Sequence, residues 1–440
     1  MTAVAERHEA LVAEFEAFRR DPAFGPASLG VSRERAFEKF LAQGFPSTRD
    51  EEWKFTNVAP IAATTFARAS TASPERSVVE PFLFRGARAE IVVVNGRFSR
   101  ALSSLDALPP GLTVRASAAD TSGHEKRLVT VDHARRGPGP AAPVGPFVNL
   151  NNAFFEDFVH VDVAAGTIVE RPLHVLMVTI ADGSPSLVAP RLVVHAGEGA
   201  QVSIVESYAG LGSVTTLTTA VTEVHLDAGA IVDHVKMQRE TASAFHMATL
   251  AVWQDRASTF TSQALTFGGR IARNDITATL DGEGAECILD GLYVTDGDAL
   301  VDTHTTIDHA RPHCPSHELY KGILAGKARA VFNGKIIVRP DAQKTDAKQT
   351  NKALLLTDDA QVNTKPQLEI FADDVKCTHG AAIGQLDEDA MFYMQARGIG
   401  CFDARNLLIH AFAGEVLDRI KVEAVRDQAM RLMEEKLKLE

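Results

Sequence analysis

The chain is poor in cysteine, and its few cysteines form none of the common short motifs. Its 440 residues include four cysteines, and no two of them stand as a CxxC pair. This spacing excludes zinc ribbons and thioredoxin-type redox motifs, and it argues against a disulfide scaffold. The four are Cys287, Cys314, Cys377 and Cys401.

An excess of positive charge is also absent. The chain has 45 Lys and Arg against 57 Asp and Glu, which gives a formal net charge of -12. Nucleic acids and anionic membranes attract clustered basic side chains. We therefore expect neither as a partner.

Long apolar runs and nucleotide loops are missing as well. No run reaches the roughly 18 apolar residues that a transmembrane helix requires, and the N-terminal segment carries Glu6, Glu9 and Glu14, unlike a targeting peptide. We expect a cytoplasmic protein without a membrane span. Gly322 and Gly326-Lys327 approximate a phosphate-binding loop, but the spacing is one residue short. The chain is therefore not expected to hydrolyse ATP by itself.

The composition and the sequence patterns predict that the chain has three structural parts. With 45% hydrophobic and 23% charged residues, the composition is that of a soluble globular protein with a large core. We predict an N-terminal helical or mixed region over residues 1–150, a β core over 151–385 and a C-terminal helical domain over 386–440.

Within the N-terminal region, the apolar spacing predicts a helix from Glu6 to Arg20 and a second helix that begins at Ser32 as N-cap. Residues 89–98 predict a strand and the turn Asn95-Gly96. Residues 134–146 contain four prolines and three glycines, which indicates a surface loop.

The middle of the chain reads as all-β, with a repeated turn and strand. Residues 195–206, 225–236 and 281–292 each contain a Gly-Ala turn followed by a β-rich run, without an intervening helix. Such repetition favours coils stacked into a β-solenoid. A β-sandwich is the alternative, but it does not account for the recurrent turns.

The segment from Pro366 to Ile399 changes from strand to helix and carries the most informative pair of side chains. Leu368, Ile370 and Phe371 are expected to be the last buried positions of one strand. Cys377 and His379 then alternate onto one face of an extended segment, about 6–7 Å apart. A thiolate and an imidazole suit zinc, iron or an iron–sulfur cluster, but two ligands complete no such site.

Helical patterns return after residue 386. Asp387 is a candidate N-cap, Gly398 ends that helix, and further helices are predicted from Asp403 and over 422–439. Cys401 is expected in the turn between helices. The apolar stripes predict core packing, and some of that face is available to a partner.

A second cluster of potential ligands lies upstream, where His304, His309, His313 and His317 accompany Cys314. Prolines within the segment prevent the helix that would align the histidines. We therefore favour a structural role for the cluster, and retain His304 and His309 as weaker metal candidates. Cys287 is expected to be a small buried residue.

Several stretches of the chain together resemble one known family. The stretches are STRDEEWKFTNVAPI from Ser47, VVNGRFSRALS, LNNAFFEDF, and FNGKIIVRPDAQKTDAKQTNKALLL read with the segment after Pro366. They resemble the SufB/SufD family of the SUF iron–sulfur cluster assembly machinery. The chain is more similar to its SufD branch, because it lacks the cysteine-rich N-terminal motif of many SufB subunits.

The resemblance implies a right-handed parallel β-helix and a non-enzymatic assembly subunit. It implies pairing with a SufB scaffold through the β-helix, recruitment of the SufC ATPase by the C-terminal helices, and homodimers when the chain is alone. Cys377 and His379 match a cluster-forming site between subunits, with His379 the stronger candidate. Iron or a cluster is then expected only transiently, in the complex, with no cofactor bound tightly by the isolated chain.

Two alternatives remain open from the residues alone. The histidines between His304 and His317 are compatible with a stand-alone metal-binding β-helix protein. A β-helix carbohydrate-active enzyme would need two positioned carboxylates, and no spacing among the Asp and Glu residues singles out such a pair.

Overall fold

The computed structural model describes residues 3–25, 27–106, 108–116 and 145–438. Its N-terminal part is helical with short strands, and most of the proline- and glycine-rich stretch 134–146 lies outside the described residues. The elements before the β core are α1 (Ala3–Arg19), α2 (Ala27–Gln43), α3 (Ala59–Ala62), α4 (Arg76–Val79), α5 (Pro146–Phe154), β1 (Ala67–Arg68), β2 (Ala89–Val94), β3 (Arg97–Phe98) and β4 (Leu112–Ala116).

The first helices pack through phenylalanines, and one predicted boundary is wrong. Phe15, Phe37 and Phe154 from α1, α2 and α5 form one buried aromatic cluster. The second helix begins at Ala27, so Ser32 lies inside it and is not its N-cap. Leu29, which precedes Ser32, is already buried as part of the helix. Packing at this position outweighs the preference of Ser32 for a helix N-terminus.

The β core is a parallel β-helix, as the repeated turns predicted. Through most of the core, successive strands alternate between two sheets, and each inner strand pairs in parallel with the strands one coil earlier and one coil later. The remaining strands are β5 (Val159–Val163), β6 (Leu173–Ile180), β7 (Ser186–Val188), β8 (Arg191–Ala196), β9 (Gln201–Leu211), β10 (Thr216–Leu226), β11 (Ile231–Arg239), β12 (Phe245–Gln254), β13 (Thr259–Thr266), β14 (Ile271–Leu280), β15 (Glu286–Thr295), β16 (Leu300–His309), β17 (Pro315–Leu324), β18 (Arg329–Val338), β19 (Asp346–Leu355), β20 (Gln361–Ile370) and β21 (Lys376–Gly384).

The even-numbered strands β8 to β20 form one sheet, and the odd-numbered strands β9 to β21 form the other. Side chains alternate between the interior and the outer face of each sheet. Their interior positions form one apolar core that includes Val232, Phe260, Cys287 and Phe332. The parallel pairing rules out a face-packed antiparallel sandwich.

A ladder of turns joins successive coils. Gly199, Gly229 and Gly284 take positive φ angles of 65°, 68° and 74°, which glycine adopts at little cost. In other coils of the ladder, Ala257 and His313 adopt this conformation instead. Each N–H donates to a carbonyl of the next coil, as from Gly229 to Arg256. His313 is therefore a turn residue of this ladder.

The chain ends in three helices, α6 (Glu388–Ala396), α7 (Cys401–Leu417) and α8 (Glu423–Leu437). Asp387 caps α6 by accepting a hydrogen bond from the backbone N–H of Ala390. Ile409 and Val416 of α7 and Val425 of α8 are buried against the outer face of the odd-numbered sheet. Cys401 was predicted to lie in the turn before this helix, but it is the first residue of α7.

The last coil of the β-helix is not covered by further described chain, so the expectation that Ile370 and Phe371 are buried is wrong. Ile370 is 40% exposed and Phe371 is 62% exposed, because no further coil of the described chain covers β20 and β21. Both residues were predicted to be buried. No helix within the described residues is long and apolar enough to cross a membrane.

Candidate functional site

Cys377 and His379 lie on β21, the outermost strand of the odd-numbered sheet. In the described chain, β21 pairs with β19 on one side and with no strand on the other. Cys377 stands in register with Ala347, and His379 with Gln349. Ala347 and Gln349 are buried interior positions, so the thiol and the imidazole continue the interior face at the open end of the β-helix.

The two candidate ligands differ in their surroundings. His379 is exposed, whereas Cys377 is half-buried and packs beside Ala347 and Ile336. Burial raises the pKa of the Cys377 thiol, and the nearby Asp346 carboxylate adds to the rise. The neighbouring Lys376 does not reverse this shift. At neutral pH the sulfur is therefore a thiol, and it needs a cation to become a good ligand.

Two buried polar residues lie directly beneath His379, and sequence reasoning missed them. Glu318 is in register with Gln349, which is in register with His379. The Gln349 side-chain amide donates a hydrogen bond to Glu318 at 2.7 Å. Burial raises the pKa of Glu318 to about 7, although the hydrogen bond from Gln349 acts in the opposite direction. No local pattern in the sequence marks these positions, because the number of residues between stacked positions differs from coil to coil.

His304 and His309 are on the same strand but on opposite faces, and the structure does not bring them together. His304 lies on the outer face, where its Nε2 is 3.0 Å from Asp302 and its Nδ1 is 3.2 Å from Glu52. His309 lies inside, with its Nε2 3.0 Å from the Ser316 hydroxyl. Burial lowers the pKa of His309 to about 4, so its imidazole is neutral.

The other predicted residues have separate locations. His317 lies on the outer face of β17, and Cys287 and Cys314 are buried free thiols. Burial raises the pKa of both thiols, which matches the structural reading of Cys287. Among the described residues, no group of three or more His, Cys, Asp or Glu side chains is arranged to hold a metal ion.

The segment around Trp53 docks on the outer face of the even-numbered sheet. The Arg273 guanidinium lies 3.8 Å above the centre of the Trp53 ring. It also pairs with Asp302 at 2.6 Å and donates to the Glu52 carbonyl at 2.8 Å. Arg273 and Asp302 are buried, so each charge depends on the other.

His304 makes this docking sensitive to pH. Burial alone would lower the pKa of His304, but the Asp302 and Glu52 carboxylates outweigh it and raise the pKa to about 9. The imidazolium therefore stabilises the fold fully below the usual histidine pKa of about 6.5, and this contribution is lost as the pH rises through about 9. The rise corresponds to about 3 kcal/mol.

We expect the free energy of unfolding to fall between about pH 6.5 and 9, and His304→Gln to remove most of that dependence. Urea unfolding across this range measures it. His317→Gln, on the outer face of β17, is the matched control and should keep the wild-type dependence. An equal fall in wild type and His304→Gln would contradict the role of the imidazolium.

Comparison with known proteins places this geometry in a family. Residues 25–175 match the SufBD protein N-terminal region, and residues 178–412 match the SufBD core domain of SUF system FeS cluster assembly. The chain belongs to the SufBD family. Its core match covers β8 to β21, including the open end that carries Cys377 and His379.

Individual relatives are similar in sequence to this chain over most of its length. The chain is 35% identical over 390 residues to an iron–sulfur cluster assembly SufBD family protein of Synechocystis, covering 87% of this chain and 85% of that one. It is 30% identical over 403 residues to the iron–sulfur cluster assembly protein SufD of Escherichia coli, covering 91% of each. It is also 30% identical to the chloroplastic protein ABCI7 of Arabidopsis thaliana, covering 90% of this chain and 84% of that one.

Proposed function

We propose that this chain is a SufD-type subunit that pairs with a SufB-type paralogue and supplies His379 and Cys377 to a cluster-building site between the two. The observation that carries this proposal is the position of both side chains at the open end of the β-helix, on a strand with an unpaired edge. Two ligands are too few for a cluster or a tetrahedral metal site. The partner supplies the rest, and iron or the cluster is the cargo of the site.

The unpaired edge of β21 supports the proposed pairing with a second chain. An edge strand presents a row of backbone donors and acceptors that a second chain can pair with. Ile370, Phe371 and Ile383 are exposed apolar side chains at this end, and they add area for burial. When the paralogue is absent, a second copy of this chain fits the same edge.

The subunit acts through binding and positioning, without catalysing a reaction alone. A neutral imidazole at His379 can accept iron through its free ring nitrogen. Cys377 contributes only after a metal displaces its proton. A separate SufC-type ATPase supplies the energy, and it binds at the C-terminal helices.

The backbone pattern of β21 allows a sharp test of the pairing. The N–H of Lys376 donates to Thr345 on the β19 side. Because successive N–H groups of a strand point to opposite sides, the N–H of Ala381 points away from β19, towards the open edge. Proline lacks this donor and is tolerated on edge strands.

We expect Ala381→Pro to abolish co-purification of the SufB-type paralogue from the native cell while the melting temperature of the chain stays near that of wild type. Ala381→Ser keeps the N–H and serves as the matched control, with normal co-purification. If the paralogue still co-purifies undiminished with Ala381→Pro, the pairing does not use this edge.

A further inference from the structure

We propose that Glu318 and Gln349 form a hydrogen-bonded column that fixes the tautomer and orientation of His379. This inference rests on the proposed function of His379, and it assigns a positioning role to two residues that lie inside the β-helix. They do not touch the cargo. The column runs along the odd-numbered sheet, from β17 through β19 to β21.

The carboxylate sets the direction of the amide. Glu318 and Gln349 are 3% and 1% exposed, and the Gln349 Nε2 lies 2.7 Å from a Glu318 carboxyl oxygen. A carboxylate only accepts hydrogen bonds, so the nitrogen of the amide must face it. A protonated carboxyl can also donate, so the direction of the amide is fixed in the carboxylate state, which mildly alkaline pH favours.

The amide oxygen is then left for His379. The Gln349 Oε1 is buried and has no hydrogen-bond partner among the described residues. The two polar atoms of an amide diverge, so Oε1 turns towards the outermost coil when Nε2 points one coil inward. Neighbouring strands lie about 4.8 Å apart, so the exposed side chain of the register partner His379 can rotate to donate a hydrogen bond to this oxygen.

The fold keeps room for this amide on the opposite side of the interior. A Cβ atom at Gly334 of β18 would lie 2.1 Å from the Gln349 Nε2. Any other residue at position 334 would therefore displace the amide. The absence of a side chain at Gly334 therefore leaves the space that the Gln349 amide occupies.

The consequence for His379 follows from donor and acceptor roles. A carbonyl oxygen only accepts, so the imidazole nitrogen facing Gln349 must carry the proton. The other ring nitrogen then presents its lone pair away from Gln349, where it can bind iron. Hydrogen bonds from outer residues to a ligating histidine commonly fix its tautomer in this way.

Three variants and a control test the column. Gln349→Leu removes the amide, Glu318→Leu removes the acceptor that orients it, and Glu318→Gln retains an oxygen that can accept. Asn351→Leu is the matched control, because Asn351 is a buried polar residue of the same strand whose register partner is Ala381 rather than His379. Melting temperatures identify which variants are folded.

The first readout is the ¹⁵N NMR spectrum of the histidine-labelled full chain at mildly alkaline pH, with His379 assigned by its loss in His379→Ala. We expect one tautomer in wild type, Glu318→Gln and Asn351→Leu, and a mixture in Gln349→Leu and Glu318→Leu. A merely structural role would not change the tautomer. The second readout is the rate of cluster formation in the reconstituted complex, where the two leucine variants should lose about tenfold or more.

The outcomes separate this inference from the proposed function. If Gln349→Leu keeps a single tautomer and the wild-type rate while His379→Ala is inactive, the column is wrong and the proposed function stands. If His379→Ala builds clusters normally, the proposed function is wrong, and the NMR readout still decides whether the column orients the imidazole. An unchanged tautomer in both leucine variants overturns the column in either case.

Discussion

His379→Ala is expected to leave the complex assembled and to reduce cluster formation by about 100-fold or more, the upper range for losing a metal-site group. The side chain is exposed at the open end, so its truncation creates no cavity and leaves the backbone edge unchanged. Cys377→Ala should have a milder effect, because burial keeps Cys377 a thiol. Cluster content of the purified complex and growth without any backup assembly pathway measure both variants.

Thr378→Ala provides the matched control for this prediction. Thr378 lies between the two residues on β21 and points to the opposite face of the strand. It should build clusters at the wild-type rate. Normal cluster assembly by His379→Ala in cells lacking a backup pathway would mean that the chemistry happens elsewhere.

The second large effect is expected at the C-terminal helices. Phe392 and Tyr393 of α6 are 75% and 59% exposed, and Phe402 and Leu407 of α7 are 48% and 49% exposed. Large apolar side chains that are exposed on neighbouring helices commonly mark a protein interface. We expect the double variant Phe392→Glu/Phe402→Glu to lose ATPase binding by about 100-fold or more, as for residues that dominate an interface.

Point variants are a better test here than removal of Asp403 to Glu440. Ile409, Val416 and Val425 are buried against the β-helix, so a truncation would expose apolar core and abolish binding by unfolding. Arg431→Glu, at an exposed position of α8, is the control for added negative charge. Calorimetry measures ATPase binding by each variant. If the double variant binds the ATPase as tightly as wild type, this surface is ruled out.

The sequence predicted the parts of the fold that local chemistry determines. The Gly-Ala turns identified the stacked coils because glycine favours the positive φ angle that each turn needs. The alternation of Cys377 and His379 placed both on one face of a strand. Ser32 was misassigned because its capping preference was outweighed by the packing of α2 on its neighbours.

The Glu318–Gln349 column could not be predicted, because it depends on which residues stack in adjacent coils. That interval is not constant along the chain. It is 27 residues from Ser262 to Leu289, but 31 from Glu318 to Gln349. The turns differ in length from coil to coil. Which residues of adjacent strands stand side by side is therefore known only from the folded structure. For the same reason, the partners of Arg273 were not visible from its sequence neighbours.

The docking of the Trp53 segment has a consequence for the order of events during synthesis. Within this segment, Glu51 pairs with Lys365 of β20, 314 residues away, and Thr56 bonds Asp302, 246 residues away. At about 5–20 residues per second, a ribosome needs roughly 15–60 seconds to make the 314-residue interval. Until β14 has been made, the Trp53 ring lacks the Arg273 guanidinium that packs on it. This early segment of the chain therefore completes its contacts only when the last strands of the even-numbered sheet have been synthesised.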